Sequence, residues 1–212
     1  MGRRAGMPMG RPIPRRAALT TLTGAMLTAA AATPVLAQQA VLLYPRAPSL
    51  RPGYRPLETR PFGGVGLRRV TLVSAQTGET FSDIFALGNR PSTIAMARLS
   101  RLMRDPHNGA TKAIDPALIE VLARMQTKLQ RPIQVLSGYR SPETNFRMHM
   151  MDPGGVAEHS FHTIGRAVDF TVAGASAEAL GRLARQCGAG GIGVYGSGFV
   201  HVDTGPVRNW VG

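Results

Sequence analysis

Three side chains in the C-terminal half of the sequence are of the types that bind a metal ion. His162 and Asp169 belong to the segment 160–170 (SFHTIGRAVDF), and His201 belongs to the segment 199–203 (FVHVD). Two imidazoles and one carboxylate are typical of a catalytic zinc site, in which the fourth tetrahedral position is left for water. The residue types therefore predict one zinc ion and hydrolytic chemistry.

Two short strands would have to position these side chains. Residues 167–172 and residues 199–203 each alternate apolar with polar side chains, which is the pattern of a strand with one buried face. Asp169 falls on the polar face of the first strand, and His201 falls on the polar face of the second. If the two strands pair antiparallel, Asp169 and His201 share one face of a sheet.

His162 would enter this arrangement from a turn. Gly165 supplies a turn that could fold His162 back over the start of the first strand. His159 is the alternative ligand, because His159 and His162 are three residues apart and would face the same way on a helix. Phe161 and Gly165 favour a loop that leads into the strand, and we therefore prefer His162.

A cationic candidate precedes these residues. Residues 133–136 predict a short buried strand, and the segment 137–141 (SGYRS) follows at its end. Arg140 at that position could hold a substrate carboxylate or polarise a carbonyl group under attack. The alternative is a surface arginine stacked on Tyr139.

The first 37 residues are expected to be an export signal and not part of the fold. Arg15 and Arg16 precede a mildly apolar run, and residues 35–37 resemble a signal peptidase site. Paired arginines before a weakly apolar run are typical of a twin-arginine signal, with an ordinary secretory signal as the alternative. The run is too short and too rich in threonine for a membrane anchor. We therefore predict a periplasmic protein, exported by the twin-arginine route.

The next segment, residues 38–66, contains five prolines among scattered arginines and glycines, which predicts an extended linker. The domain then covers residues 67–212. Without residues 1–37, 20 basic and 12 acidic residues remain, a formal charge of +8 that suits an anionic polymer such as the cell wall. Aromatic and basic residues are not interleaved, so no nucleic-acid partner is expected. The single cysteine, Cys187, excludes an intramolecular disulfide and is expected in the core.

The remaining segments predict one hairpin and several helices around the strands. The methionine-rich and glycine-containing stretch 148–157 predicts a mobile flap over a cleft. The glycine-rich run 190–195 lacks the Lys-Ser/Thr ending of a phosphate loop, so we expect a strand that passes close to its neighbour. The other predicted elements are a hairpin over 68–85, helices over 92–104, 115–129 and 176–187, and a short helix that begins near residue 141.

Three motifs together resemble a known enzyme family. They are Ser-Gly-Tyr-Arg at 137–140, Ser-x-His-x-x-Gly-x-Ala-x-Asp at 160–169 and Phe-Val-His-Val-Asp-Thr-Gly-Pro at 199–206. They are similar to the zinc peptidoglycan peptidases that include D-alanyl-D-alanine carboxypeptidases, within the lysostaphin-like and hedgehog-like superfamily, and most similar to the murein endopeptidase K branch. The resemblance implies an α+β fold, with helices packed on a small antiparallel sheet that holds the metal.

The same resemblance implies roles for individual residues. His162, Asp169 and His201 would be the zinc ligands, Arg140 would face the substrate carboxylate or the developing oxyanion, and Ser160 would support substrate binding. The implied reaction is hydrolysis of an amide bond in the stem-peptide cross-links of peptidoglycan. A D-alanyl-D-alanine carboxypeptidase, or a wall-binding module that keeps zinc without catalysis, are the alternatives. The sequence assigns no oligomeric state.

One position departs from the family pattern. Better-known members carry an acidic general base three residues before the last histidine ligand, where this chain has Gly198. Asp203, on the same strand face as His201, is the leading candidate for that role, ahead of Glu158 and His159. Asp203 could equally be the acceptor that orients a ligand imidazole. The sequence leaves these two roles for Asp203 open.

Overall fold

A computed structural model describes residues 66–212 of the chain. The export signal predicted over residues 1–37 lies outside the described residues, and so does the linker predicted over 38–66 except its last residue, Gly66. The strands are β1 (Leu67–Ser74), β2 (Thr80–Leu87), β3 (Arg90–Pro91), β4 (Ile133–Ser137), β5 (Ala167–Thr171), β6 (Gly191–Tyr195), β7 (Phe199–Asp203) and β8 (Arg208–Val211). The α-helices are α1 (Thr93–Leu102), α2 (Pro116–Leu129), α3 (Pro142–Met151) and α4 (Ala177–Gln186), with a 3₁₀ helix over Phe161–Ile164.

The described strands form one sheet of eight, in the order β3-β2-β1-β4-β5-β7-β6-β8. The pairs β1–β4 and β6–β8 are parallel, and every other pair is antiparallel. The predicted α+β class is confirmed. The sheet is larger than the small antiparallel one expected, but its four central strands, in the order β4-β5-β7-β6, are antiparallel to one another.

Helices bury the apolar side chains of these central strands. Helix α2 packs on β1, α4 packs on β6 and β7, and the two helices contact each other. Val168 and Phe170 of β5 and Val200 and Val202 of β7 have no exposed surface. Because side chains alternate along a strand, burying these four residues directs the polar positions between them to the opposite face of the sheet.

The helices begin where the sequence predicts. Asp115 caps α2, with its Oδ1 accepting a hydrogen bond from the Ala117 amide at 2.9 Å, and Pro116 occupies the first turn. Ser141 and Ser176 cap α3 and α4 in the same way. The predicted hairpin is also present as β1 and β2. These caps fix the points at which the preceding loops lead into the helices.

The predicted flap is wrong for its first four residues, because Met148–Met151 form the last turn of α3. The chain after this turn is folded back, since His149 Nδ1 donates a hydrogen bond to the Val156 carbonyl oxygen at 2.7 Å. His149, expected on a solvent-facing loop, is therefore a partly buried helix residue. Within residues 66–212, none of the helices combines the length and the apolar character that crossing a membrane requires.

Candidate metal centre and active site

The three predicted ligands meet at the middle of the sheet. Asp169 of β5 and His201 of β7 are direct partners across the antiparallel pair, as the strand patterns predict. His162 lies on the 3₁₀ helix just before β5. All three residues are buried, with exposed fractions of 1% for His162, 7% for Asp169 and 8% for His201.

The 3₁₀ helix aims His162 at the other two residues. Ser160 caps it, since Ser160 Oγ accepts a hydrogen bond from the His162 amide at 3.3 Å. Gly165 ends it in the left-handed conformation, with φ of 71°, and the Gly165 carbonyl accepts from the Asp115 amide at 2.9 Å. A strand-entering loop was expected here, and the structure has a single helical turn instead. Ser160 thus contacts the backbone of the turn that carries His162.

The donor atoms are spaced as ligands of one ion would be. His162 Nε2 lies 3.2 Å from Asp169 Oδ1 and 3.2 Å from His201 Nδ1, and His201 Nδ1 lies 2.8 Å from Asp169 Oδ1. Ligands about 2.0–2.1 Å from a tetrahedral zinc ion are separated by roughly 3.3 Å. Among the described residues, this is the group of histidine, cysteine and acidic side chains whose ligand atoms converge enough to hold a metal.

The hydrogen-bond partners of the two histidines set their tautomers. His162 Nδ1 lies 2.6 Å from the Gly138 carbonyl oxygen, and a carbonyl oxygen only accepts, so Nδ1 carries the proton. His201 Nε2 lies 3.1 Å from Asp203 Oδ2, which places the His201 proton on Nε2. In these tautomers, neutral rings would direct the lone pairs of His162 Nε2 and His201 Nδ1 toward the Asp169 carboxylate. This donor set, two imidazole nitrogens and one oxygen, fits a zinc ion.

Asp203 is the most enclosed acid of the site, with no exposed surface. Its Oδ1 accepts hydrogen bonds from the backbone amides of Gly191 at 3.0 Å and Gly205 at 2.7 Å. Arg208 donates to both carboxylate oxygens, and His201 Nε2 lies near Oδ2. Five donors therefore surround this carboxylate. Such a carboxylate orients its partners and has little capacity left to take a proton.

The charges of the site follow from this packing. Burial lowers the pKa of His162, which keeps its ring neutral. Burial alone would raise the pKa of Asp169, but His162, His201 and Arg140 outweigh it and hold that pKa well below its usual range. Burial would lower the pKa of His201, yet its contacts with Asp169 and Asp203 raise it. Asp203 has a pKa lowered to about 2, because His201 and Arg208 outweigh the effect of its burial.

Arg140 lies at the site, at the end of the segment that follows β4. Its guanidinium pairs with Asp169 Oδ2, and its Nε donates to Ser137 Oγ at 2.8 Å. The Arg140 amide donates to the His162 carbonyl oxygen at 3.3 Å. Arg140 therefore contacts the carboxylate oxygen that faces away from the two imidazoles. Arg140 is therefore not a surface arginine stacked on Tyr139, which was the alternative.

The remaining candidates lie on loops. Glu158 and His159 are both exposed, in the segment that precedes the 3₁₀ helix. Gly198 lies in the turn between β6 and β7 with φ of 93°, and a side chain built there would have open space around it. This left-handed backbone favours glycine at the position where the resemblance led us to expect an acidic general base.

Two residues near the centre were not predicted from the sequence, Arg208 and Trp210 of β8. The Arg208 guanidinium lies 5.0 Å above the Phe161 ring and 5.2 Å above the Trp210 ring. The Trp210 ring centroid lies 5.1 Å from that of His201. Strand β8 pairs with β6 and not with the strand before it, so only the folded sheet brings these side chains to His201.

Comparison with known proteins identifies the family of this chain. The family described as peptidoglycan L,D-endopeptidase MepK matches residues 64–210. The peptidoglycan L,D-endopeptidase MepK of Escherichia coli (strain K12) is 39% identical over 146 residues, which cover 68% of this chain and 80% of the relative. The probable peptidoglycan L,D-endopeptidase MepK of Haemophilus influenzae is 38% identical over 149 residues, with the same coverage. The chain belongs to the peptidoglycan L,D-endopeptidase MepK family.

Proposed function

We propose that this protein is a zinc-dependent peptidoglycan endopeptidase that hydrolyses an amide bond in stem-peptide cross-links. The observation that carries the proposal is the convergence of three buried donors, His162 Nε2, Asp169 Oδ1 and His201 Nδ1, in a chain of this family. The names of its relatives support the substrate and the type of bond.

The donor set supports zinc as the metal. Two neutral imidazoles and one ionised carboxylate would hold one ion per chain, and they leave room in its coordination for a water or a substrate oxygen. When bound, a zinc ion supplies Lewis acidity that activates water and polarises a carbonyl group near neutral pH. The lowered pKa of Asp169 and the contact of His162 Nδ1 with the Gly138 carbonyl oxygen support an ionised carboxylate and a free His162 Nε2 for the ion.

Arg140 is proposed to act at two points. Its guanidinium pairs with Asp169 Oδ2, so it orients that carboxylate and keeps it ionised. Its place beside the donors also supports the predicted contact with a substrate carboxylate or with the oxyanion that forms during hydrolysis. Ser160 is proposed to assist through the turn that it caps, which carries His162.

Asp203 is proposed to be a positioning residue. Its carboxylate already accepts from His201, Arg208 and two backbone amides, and its pKa lies at about 2, so it is a poor proton acceptor at neutral pH. It holds the His201 ring in the tautomer that a metal requires. Proton transfer is therefore assigned to another group, and the exposed side chains of Glu158 and His159 are the two that the sequence offers.

The place of action is proposed from the substrate and from the N-terminal sequence. Peptidoglycan lies outside the cytoplasmic membrane, and residues 1–37 have the features of a twin-arginine signal. Replacing Arg15 and Arg16 with lysine should retain the protein in the cytoplasm if that route is used. Periplasmic accumulation of the double variant would instead indicate an ordinary secretory signal.

The central experiment is digestion of purified sacculi with and without a metal chelator, followed by mass analysis of the products. Release of fragments cut within cross-links, lost with chelator and restored by zinc, is the expected result. Loss of terminal D-alanine alone would identify a carboxypeptidase. Binding to sacculi without any new fragment would identify a non-catalytic wall-binding module.

A further inference from the structure

Three aromatic residues lie on the same face of the sheet as the metal ligands. Tyr195 ends β6, Phe199 begins β7, and Trp210 lies on β8. Tyr195 is the direct partner of Phe199, and Gly193 is the direct partner of both His201 and Trp210. Because side chains two residues apart on a strand share a face, Phe199 and His201 point the same way. We call Tyr195, Phe199 and Trp210 the aromatic strip.

The rings of the aromatic strip are in contact with each other and with the metal centre. Tyr195 and Phe199 stack with ring centroids 4.3 Å apart and an interplanar angle of 10°. Trp210 Nε1 donates a hydrogen bond to the Tyr195 hydroxyl at 3.0 Å. The Trp210 centroid lies 5.1 Å from that of His201. All three rings are only partly buried, so the aromatic strip is a surface beside the donors.

The backbone of β6 makes room for this surface. A β-carbon on Gly193 would lie 2.5 Å from the Trp210 ring, which is closer than two such atoms can approach. The indole therefore packs directly on the β6 backbone, in the place where a side chain would otherwise stand. Ile192 and Val194 point to the other face, toward α4. Strand β6 thus supplies a flat support for aromatic rings next to the site.

The two sides of the metal centre differ in charge. On the β4 side, Arg140 pairs with Asp169. On the β6 and β8 side, the aromatic strip is neutral, and the nearest cation, Arg208, is already held by Asp203. The β4 side, with Arg140, is therefore suited to an anionic part of a substrate. The β6 and β8 side, with the aromatic strip, is suited to an uncharged part.

We propose that the aromatic strip binds a sugar unit of the glycan strand that carries the stem peptide. This inference rests on the proposed function, because the peptidoglycan substrate combines carboxylate-bearing peptides with uncharged N-acetylated sugars. Pyranose rings have apolar faces that pack on aromatic rings, and the half-buried tyrosine and tryptophan offer polar edges as well. The stem carboxylates belong on the Arg140 side.

The distances suit this assignment. Neighbouring strands lie about 4.8 Å apart, so β8 is roughly 10 Å from β7 across the intervening β6. An extended peptide advances about 3.3–3.6 Å per residue, so the aromatic strip, whose Trp210 ring lies 5.1 Å from the His201 ring, begins one to two residues from the donors and extends outward along the β6 and β8 backbones. A stem peptide of a few residues can therefore place its amide bond at the donors and its sugar on the aromatic strip.

Trp210 itself reports the binding, because it is the single tryptophan of the sequence. The zinc-loaded protein is titrated with uncross-linked disaccharide-peptides from peptidoglycan, and with the same peptides after their disaccharides have been removed. We expect the sugar-bearing form to change the Trp210 emission and to bind about five- to tenfold more tightly. Equal affinities for the two forms, with unchanged emission, would overturn the proposal.

Variants locate the contact. Tyr195→Leu removes one ring without touching His201, and it should reduce the preference for the sugar-bearing form to less than twofold. Ile94→Ala, which truncates a side chain on α1 that is 75% exposed, should retain the full preference as the matched control. An undiminished preference in Tyr195→Leu would place the sugar elsewhere.

Cleavage assays separate this proposal from the proposed function. The wild-type protein is given cross-linked peptides with and without their disaccharides. Cleavage of both forms at equal kcat/KM would refute the sugar site and leave the endopeptidase assignment in place. Cleavage of neither form would refute the endopeptidase assignment, whereas the fluorescence titration tests the sugar site independently of turnover.

Discussion

Arg208 donates two hydrogen bonds to the carboxylate of Asp203, at 3.1 Å to Oδ1 and 2.6 Å to Oδ2. The same carboxylate lies 3.1 Å from His201 Nε2. A chain of contacts therefore runs from the half-exposed Arg208 on the last strand of the sheet through the buried Asp203 to a predicted metal ligand. Such contacts orient the ligand ring and make it a better donor, and their loss usually weakens metal binding.

Asp203→Asn tests whether this residue positions His201 or accepts the proton. We expect zinc affinity to fall about 10–100-fold, because the amide holds the His201 N–H less strongly than the carboxylate does. Turnover should largely recover at saturating zinc. Zinc affinity is measured by competition with a chromogenic chelator, and kcat is measured on sacculi at several zinc concentrations.

The opposite pattern would identify Asp203 as the general base. In that case zinc affinity stays unchanged and kcat remains low at every zinc concentration. Asp83→Asn is the matched control. Asp83 lies on β2, away from the donors, and forms a half-exposed ion pair with Arg98 of α1. It should change neither quantity.

Zinc should stabilise the native protein through its three donors. A ligand that binds only the folded state at 100 times its dissociation constant adds about 2.7 kcal/mol to the free energy of unfolding. We expect the Tm of the metal-free wild-type protein to rise on addition of zinc, and the Tm of His162→Ala to stay unchanged. Thermal unfolding by circular dichroism, with the zinc content measured in parallel, checks this.

His107→Ala provides the control for the loss of a histidine, because the His107 side chain is exposed on a loop. This variant should respond to zinc like the wild-type protein. A full zinc response in His162→Ala would show that the three donors do not form the metal site. Full wall hydrolysis by a metal-free His201→Ala protein would contradict the proposed mechanism.

Arg140→Ala should remove most of the turnover. Loss of a donor that stabilises a developing oxyanion costs about 10²–10³ in kcat, and Arg140 also orients Asp169. Arg140→Lys keeps the charge but cannot hold Asp169 Oδ2 and Ser137 together, so an intermediate rate is expected. Arg147→Ala, at an exposed arginine of α3, should keep the wild-type rate. Wild-type turnover in Arg140→Ala would remove Arg140 from the mechanism.

Asp105 holds the loop after α1 against the start of α3. Its Oδ2 accepts a hydrogen bond from the Ser141 amide at 2.8 Å, its Oδ1 accepts from the His107 amide at 2.9 Å, and it has no exposed surface. Asp105→Asn leaves one of these donors poorly paired, and the free energy of unfolding should fall by about 1–3 kcal/mol at pH 7. Urea unfolding measures this change.

The effect of Asp105→Asn should depend on pH in one direction. Burial raises the pKa of Asp105, but hydrogen bonds from Thr144, Ser141 and His107 outweigh it and leave that pKa below its ordinary value. A carboxylate of this kind stabilises the fold above its unfolded pKa of about 3.9, and this contribution is lost as the pH falls through the folded value. The difference between wild type and variant should therefore be constant near neutrality and shrink below about pH 4. A difference that grows on acidification would contradict this account.

The meeting of Asp169 and His201 could be predicted because alternation along a strand is a strong constraint. Val168, Phe170, Val200 and Val202 must all be buried, and that requirement alone sends the two polar side chains to one face. The direct pairing of Asp169 with His201 then needed only the antiparallel arrangement, which the structure has.

The contacts of Asp203 could not be predicted in the same way, because its partners come from distant parts of the chain. Gly191 lies on β6 and Arg208 on β8, and β8 adds to the sheet in parallel beside β6. The four-residue sequence Arg208–Val211 (RNWV) does not alternate apolar with polar residues, so no strand was predicted there, although the folded strand alternates half-buried with exposed residues. Arg208 and Trp210 were missed for that reason.

The end of α3 was misjudged because methionine and glycine were taken as signs of mobility. Met150 and Met151 are exposed, at 65% and 80%, so the end of this helix has no apolar stripe by which the sequence would indicate a helix. The hydrogen bond from the Asp152 amide to the Met148 carbonyl oxygen and the one from His149 to Val156 instead hold the last turn in helical form. Local capping and one side-chain contact outweighed a weak pattern.

The backbone of Gly198 has an evolutionary consequence. One base change converts a glycine codon into one for aspartate or glutamate, so an acid at this position is genetically close. With φ of 93°, however, such a residue would be strained even though the space around it is open. The conformation of the turn, and not the number of base changes, therefore opposes an acid at position 198, and a variant with aspartate or glutamate there would require the β6–β7 turn to change its backbone.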